Sequence, residues 1–192
     1  MIIVVSGLPR SGTSMMMQIL HTGGLDVMTD DVRAPDDSNP RGYFEYEPVK
    51  ALARTADWVA AAEGKVVKVI AQLVPRLPSG HEYAILFMNR DLDEILSSQT
   101  AMLARLGRQG GALDPQSLKT VFERQLASAV AFAESRSDMR SLTVDYARVL
   151  QDPAASIESI KAFLGVNLDV AQAAAAVDPA LYRERLGDSR NR

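Results

Sequence analysis

The stretch IIVVSGLPRSGTSMMMQIL, residues 2–20, decides the fold. Ile2 to Ser6 read as a strand buried on both faces, because no polar residue alternates with the apolar ones. Gly7-Leu8-Pro9-Arg10-Ser11-Gly12-Thr13-Ser14 follow as a tight glycine-bearing loop, and Met15 to Leu20 continue as a helix. A strand, a glycine loop and a helix start make an anion site, since unpaired backbone N–H groups and the positive end of the helix dipole converge there. Gly7 and Gly12 stand at the spacing of the nucleotide-triphosphate P-loop, yet the lysine that should follow Gly12 is Thr13. The cation of this loop is Arg10. In the plainer alternative the two glycines only permit a tight turn; three hydroxyls and a cation in one loop favour the anion.

Outward from this unit, three more apolar runs read as parallel strands: Val66 to Ile70, Ala84 to Asn89 and Leu142 to Asp145. Helices are expected over Gly12 to Thr22, Pro48 to Glu63, Asp91 to Leu106, Pro115 to Ser135, Pro153 to Leu164 and Leu168 to Ala176. Asp91 with Glu94, Asp114-Pro115 and Asp152-Pro153 mark helix starts. The fold class is α/β: a P-loop-type three-layer sandwich with a parallel sheet of four to five strands flanked by helices, expected as one domain over residues 1–192. The polar end from Asp188 to Arg192 is expected to fray.

One segment is too long for an ordinary connection. Residues 29–47, TDDVRAPDDSNPRGYFEYE, carry turn residues throughout and no periodicity. Structureless loops beyond roughly 12–15 residues are usually functional or mobile. The first helix stops at Gly23-Gly24, so Leu25 to Met28 must climb back, as a candidate fifth strand, and return this loop to the carboxyl ends of the strands. Open α/β sheets bind ligands there.

Composition removes several functions. The 192 residues are 47% hydrophobic and 23% charged, and contain no cysteine and two isolated histidines, His21 and His81. Disulfides, thiolate metal sites, cysteine nucleophiles and a histidine-rich metal centre are excluded, and a reducing compartment fits. Neither a membrane span nor a signal peptide is read, so a cytoplasmic protein is expected. A net charge of -3 argues against a nucleic-acid-coating surface, although a small basic pocket would be invisible in that sum.

Pro9 to Ser14 resembles the 5′-phosphosulfate loop of sulfotransferases that use 3′-phosphoadenosine 5′-phosphosulfate (PAPS), whose pattern is Pro-Lys/Arg-Ser-Gly-Thr-Ser/Thr; arginine at the second place is similar to the bacterial branch. The resemblance implies that Ser11, Gly12, Thr13 and Ser14 hold the 5′-phosphate, with Arg10 near the transferring sulfuryl group. Arg90, at the end of the Ala84 strand, precedes Ser98 by the spacing this family uses for the 3′-phosphate. Asp91, Glu94 and Ser98 share one helical face there. Taken singly, Arg90 reads as an ion pair with Asp91 or Asp93. Tyr146 to Pro153, with Ile157, Ile160 and Phe163-Leu164-Gly165, is similar to the family's Tyr-Glu-x-Leu…Pro…Ile…Phe-Leu-Gly stretch, which implies Tyr146 against adenine; a core tyrosine is the other reading.

For the chemistry, Lys68 to Pro75 looks like the family's lysine-to-proline stretch, which implies Lys68 at the bridging oxygen, with Lys65 the rival. A lysine in a buried strand needs an anionic partner in any case. Asn39-Pro40-Arg41-Gly42-Tyr43-Phe44-Glu45 resembles a stretch of bacterial sulfotransferase-like proteins; Glu45, beside two aromatics, is the expected base, with Glu47 as runner-up. The histidine base of small-molecule members falls at Ile70, and the C-terminal Arg-Lys-Gly clamp is missing, with Arg183 or Arg185 the only substitutes. The expected activity is sulfuryl transfer from PAPS to a hydroxyl or amine of a small-molecule, carbohydrate or peptide acceptor, leaving adenosine 3′,5′-bisphosphate (PAP), without a metal. The alternatives are a P-loop kinase or nucleotide hydrolase, with Asp145 as its Mg²⁺ ligand, and a catalytically silent nucleotide-binding module.

Overall fold

The computed structural model of the chain describes residues 1–30, 32–36, 39–105, 107, 114–178 and 180. The opening apolar run forms β1 (Ile2–Gly7), buried at every position, and takes the centre of a five-stranded sheet. Around it lie β2 (Val27–Met28), β3 (Val66–Lys68), β4 (Tyr83–Asn89) and β5 (Met139–Asp145) in the order β2-β3-β1-β4-β5. Every pairing is parallel, so all carboxyl ends meet on one edge. Register places Val5 opposite Lys68 on one side and Gly7 opposite Met88 on the other, which sets the glycine loop beside the ends of β3 and β4.

Six helices complete the layers: α1 (Thr13–Thr22), α2 (Leu92–Arg105), α3 (Pro115–Glu134), α4 (Tyr146–Gln151), α5 (Pro153–Leu164) and α6 (Val170–Ala175). Successive strand residues point to opposite faces, so Ile3, Val5, Leu86 and Met88 pack with α1, α4, α5 and α6 while Ile2, Val4, Ile85 and Phe87 pack with α3. That alternation is why an unbroken apolar strand needs helices on both sides. The connection after β1 therefore leaves toward one face and the connection after β4 toward the other. Such a divergence opens a crevice at the strand ends where open parallel sheets bind ligands.

The short fifth strand Val27–Met28 pairs with β3 and returns residues 29–47 to that edge. The helix expected over Pro48 to Glu63 does not form; two 3₁₀ turns, Glu47–Ala51 and Val59–Ala62, occupy its place. Between them the Thr55 hydroxyl donates to the Asp57 carboxylate at 2.8 Å, a local bond that competes with helix geometry. Trp58 meanwhile turns inward against Tyr46, edge to face. The strand expected to reach Ile70 ends at Lys68, and Ile70 begins a 3₁₀ turn over Ala71–Arg76. Asp145 caps α4 by accepting from the Arg148 amide at 2.8 Å, so its carboxylate serves the helix start. Asp114 and Asp152 cap α3 and α5 as expected. Arg183, Arg185 and the segment 188–192 lie outside the described residues. Among the described residues no helix is long and apolar enough to cross a membrane.

Candidate functional site

The crevice at the ends of β1, β3 and β4 is a pocket of about 330 Å³. Among the described residues, six cations line it, Arg10, Arg33, Arg41, Lys68, Arg90 and Arg105, against two carboxylates, Glu45 and Asp178. A chain of net charge -3 thus concentrates positive charge at one place. Such focusing in a concave, partly dehydrated site raises the local concentration of anions.

The floor is the loop after β1. Gly12 sits at φ +99°, a left-handed conformation, and an added Cβ would collide with the ring of Tyr146. Gly7 is equally constrained, with the Met88 carbonyl 2.9 Å from where its Cβ would lie. No side chain caps α1, and its first turn carries no acid, so its leading N–H groups stay open to an anion. The Ser11 hydroxyl is buried and has no hydrogen-bond partner among the described residues. It lies beneath the loop, against Gly7, and does not itself line the pocket. Arg10 holds φ +68°, and its Nε donates to Ser98 Oγ at 3.0 Å. Burial pushes the Arg10 guanidinium below its ordinary pKa, partly offset by Tyr43.

From the neighbouring strand end, Arg90 donates to Glu94 Oε2 at 3.0 Å and to the Arg10 carbonyl at 3.2 Å. Its ion-pair partner is thus Glu94, four residues on and one helical turn away, in place of the expected Asp91 or Asp93. Glu94 and Ser98 are both buried on the face that their spacing predicts. The Arg90 guanidinium lies 4.6 Å above the Tyr146 ring, and that ring backs Gly12, so Tyr146 joins the two phosphate-side elements and borders the pocket. Thr13 and Ser14 line the pocket beside them.

The opposite wall comes from residues 29–47. Lys68, buried at the end of β3, donates to the Tyr43 carbonyl and, at 3.3 Å, to Ser14 Oγ, and lies 3.9 Å from Glu45 Oε1. Burial lowers its pKa to about 8, with Glu45 opposing the shift. The anionic partner that a strand lysine needs is therefore Glu45. Glu45 sits among three cations: Arg33 at 2.8 Å, Lys50 at 3.9 Å and Lys68. This differs from the apolar pocket that its aromatic neighbours suggested, because the Tyr43 ring turns to stack beneath the Arg33 guanidinium at 3.3 Å. The Tyr43 hydroxyl donates to Asp36, and its pKa is raised by burial and by that carboxylate. Glu47 pairs with Lys50 at 2.6 Å and does not line the pocket. His21 packs near Phe44 and His81 pairs with Glu63, both away from the pocket.

Arg33, Arg41 and Arg105 border the site without having been anticipated. A signal existed for two of them: the loop holds six acids, and Arg33 and Arg41 are its only cations. Arg41 reaches across to the C-terminal part, donating to the Ala176 carbonyl at 2.6 Å and to Asp178 at 2.9 Å.

Solved structures similar to this arrangement of strands and helices include sulfotransferases. Mouse sulfotransferase SULT7A1, complexed with PAP, is similar at a TM-score of 0.57 and 15% identity over 97% of this chain and 67% of its own. The sulfotransferase domain from the curacin biosynthetic pathway gives 0.51 and 15% over 97% and 78%. Retinol dehydratase, in complex with androsterone and inactive cofactor PAP, gives 0.50 and 18% over 91% and 62%. No family model matches the chain, and no curated protein matches it by sequence. The chain therefore has the sulfotransferase fold, a P-loop-like α/β architecture, at identities that establish the fold and leave the activity to the site.

Proposed function

We propose that the chain binds PAPS and transfers its sulfuryl group to a hydroxyl or amine acceptor. One observation carries this reading: a pocket lined by six cations at the sheet's carboxyl edge, floored by a glycine loop and the start of α1, which no side chain caps. The residues fit the ligand at both ends. Arg10, the Thr13 and Ser14 hydroxyls and the open N–H groups of α1 would hold the 5′ end, while Arg90 and Ser98, one strand away, would hold the 3′-phosphate and Tyr146 would border the adenine. Bound PAPS supplies the sulfuryl group, whose bond to the phosphate oxygen breaks as the acceptor's oxygen or nitrogen bonds to sulfur. Sulfuryl transfer of this kind needs mainly positioning and charge stabilisation, by analogy with phosphoryl transfer.

In that reading Glu45 takes the acceptor's proton and Lys68 stabilises the charge left on the departing phosphate oxygen. Of the two carboxylates that line the pocket, Glu45 is favoured because it stands 3.9 Å from Lys68, the cation assigned to the departing group. A reducing, cytoplasmic setting is compatible with the absence of cysteine. The P-loop kinase alternative loses ground, since Thr13 stands in the lysine's place and Asp145 is engaged as a helix cap.

Calorimetric titration tests the reading. PAP is expected to bind at least about tenfold more tightly than ATP with Mg²⁺, a difference of about 1.4 kcal/mol. Absence of PAP binding, or tighter binding of ATP with Mg²⁺, would overturn it; PAP binding without transfer to any acceptor would favour a silent module.

A further inference from the structure

Beside the nucleotide pocket opens a second groove of about 460 Å³, within the range of roughly 300–1,000 Å³ typical of small-molecule sites. The two cavities share Arg33, Glu45, Lys68 and Ile70, so the groove begins where the reacting groups stand. Its charged side chains converge on Glu45, with Arg33, Lys50 and Lys68 all within 3.9 Å of that carboxylate. The rest of the wall comes from Tyr46, Val49, Ile70 and Leu73. Ile70 is 41% exposed, one of few large aliphatic side chains left open to water among the described residues. It is open because β3 ends at Lys68, and the chain is extended at Ile70 before turning into the 3₁₀ segment.

We propose that this groove receives the body of the sulfuryl acceptor, and that the acceptor is an alcohol, phenol or amine with an apolar body and its nucleophile at one end. The proposal rests on the sulfuryl-transfer reading and deepens it. Polarity confined to one end of a cavity matches a molecule that is polar at one end. A sugar carries a hydroxyl on nearly every carbon, and against Val49, Ile70 and Leu73 those hydroxyls would lose their water partners without replacement. Each one left unpaired would weaken binding roughly 5- to 150-fold. An alkyl or aryl body instead covers the open face of Ile70. Ile70 and Leu73 are then the specificity-determining residues, and Lys68 and Glu45 act on whatever nucleophile the groove presents.

The experiment uses the full chain, labelled PAPS, the straight-chain alcohols from ethanol to 1-octanol, and glucose as the polar control. The expected kcat/KM rises about fourfold per methylene until the groove is filled, and glucose falls far below 1-octanol. Ile70→Asn and Leu73→Asn should flatten that rise. Leu73, which does not border the nucleotide pocket, should leave PAP affinity unchanged on substitution. A measurement without turnover runs in parallel: displacement by the same alcohols of a fluorescent apolar dye from the protein, with and without PAP, with the same dependence on chain length. Transfer to glucose as fast as to 1-octanol, or displacement that ignores chain length, would overturn the apolar acceptor while leaving PAP binding intact. Failure of the parent to bind PAP would strike the underlying reading, and the dye displacement would still report on the groove.

Discussion

On one side of the pocket, that of the glycine loop, the lining groups hang from strand ends and helix starts. Arg10 follows β1, Arg90 follows β4, Ser98 sits inside α2, and Tyr146 opens α4 directly after β5. On the opposite side, Arg33, Arg41, Tyr43 and Glu45 belong to a segment held by side chains: Thr29 to the Glu45 carbonyl, Tyr43 to Asp36, Arg33 to Glu45, Arg41 to Ala176 and Asp178. One wall is positioned by backbone hydrogen bonding that the whole sheet shares. The other is positioned by individual contacts, each worth little alone. Two walls built so differently should respond differently to mutation: ligand affinity should reside in the rigid wall and turnover in the tethered one.

The largest effect tests that division directly. Glu45→Gln keeps size and hydrogen bonding but removes the proton acceptor, so turnover should fall about 10²- to 10⁴-fold while the PAP affinity measured by calorimetry stays constant. Near-normal turnover would move the base to another group. On the rigid wall, Arg90→Ala is a poor probe, because it also breaks a buried ion pair with Glu94, which can cost about 3–5 kcal/mol of stability. The double substitution Arg90→Gln with Glu94→Gln keeps the pair neutral and hydrogen-bonded. It should weaken PAP about 10- to 150-fold and adenosine 5′-monophosphate far less. Equal losses for the two ligands would remove the 3′-phosphate from this corner.

A smaller effect should follow pH. Lys68 lies at the junction of the walls with a pKa lowered to about 8 by burial, so its cationic fraction drops as pH rises past that value. Turnover that needs the cation should fall about fivefold between pH 8 and 9, and Lys68→Arg should move the decline upward. Stability runs the other way. Between about pH 8 and the ordinary lysine value the unfolded chain holds a proton that the folded chain has released, so the fold gains stability as pH rises through that window. Lys68→Met should lack this gain in chemical denaturation. The smallest effect is expected from Arg41→Ala, which cuts one half-exposed tether and should raise acceptor KM about two- to fivefold with little change in Tm. A large loss of PAP affinity in that variant would mean that the tethered wall also carries nucleotide binding.

The same contrast explains what could be read before any coordinates. The rigid wall was legible because its elements are written locally: an apolar run for each strand, Gly7 and Gly12 for the loop, an aspartate before each of several helices. The tethered wall was legible only in outline. That residues 29–47 return to the strand ends follows from chain direction, but Arg33 stacking on Tyr43 and Arg41 reaching Ala176 are long-range choices that no local pattern encodes. Ala51, Ala53 and Ala60 to Ala62 give residues 48–63 helical propensity, and the burial of Trp58 with the Thr55–Asp57 bond overrode it. Asp145 was read as a strand end and possible metal ligand because a six-residue helix is too short to announce itself by periodicity.

The left-handed backbone of Arg10 has a consequence for how this protein can change over time. A non-glycine residue in that conformation costs about 1–2 kcal/mol that glycine would not. Glycine there would relax the loop and at the same time delete a cation from the pocket floor. Selection for thermal tolerance alone would therefore push this position toward a sturdier chain with a less cationic pocket, and retention of Arg10 in a lineage would be a sign that the pocket's charge is under selection.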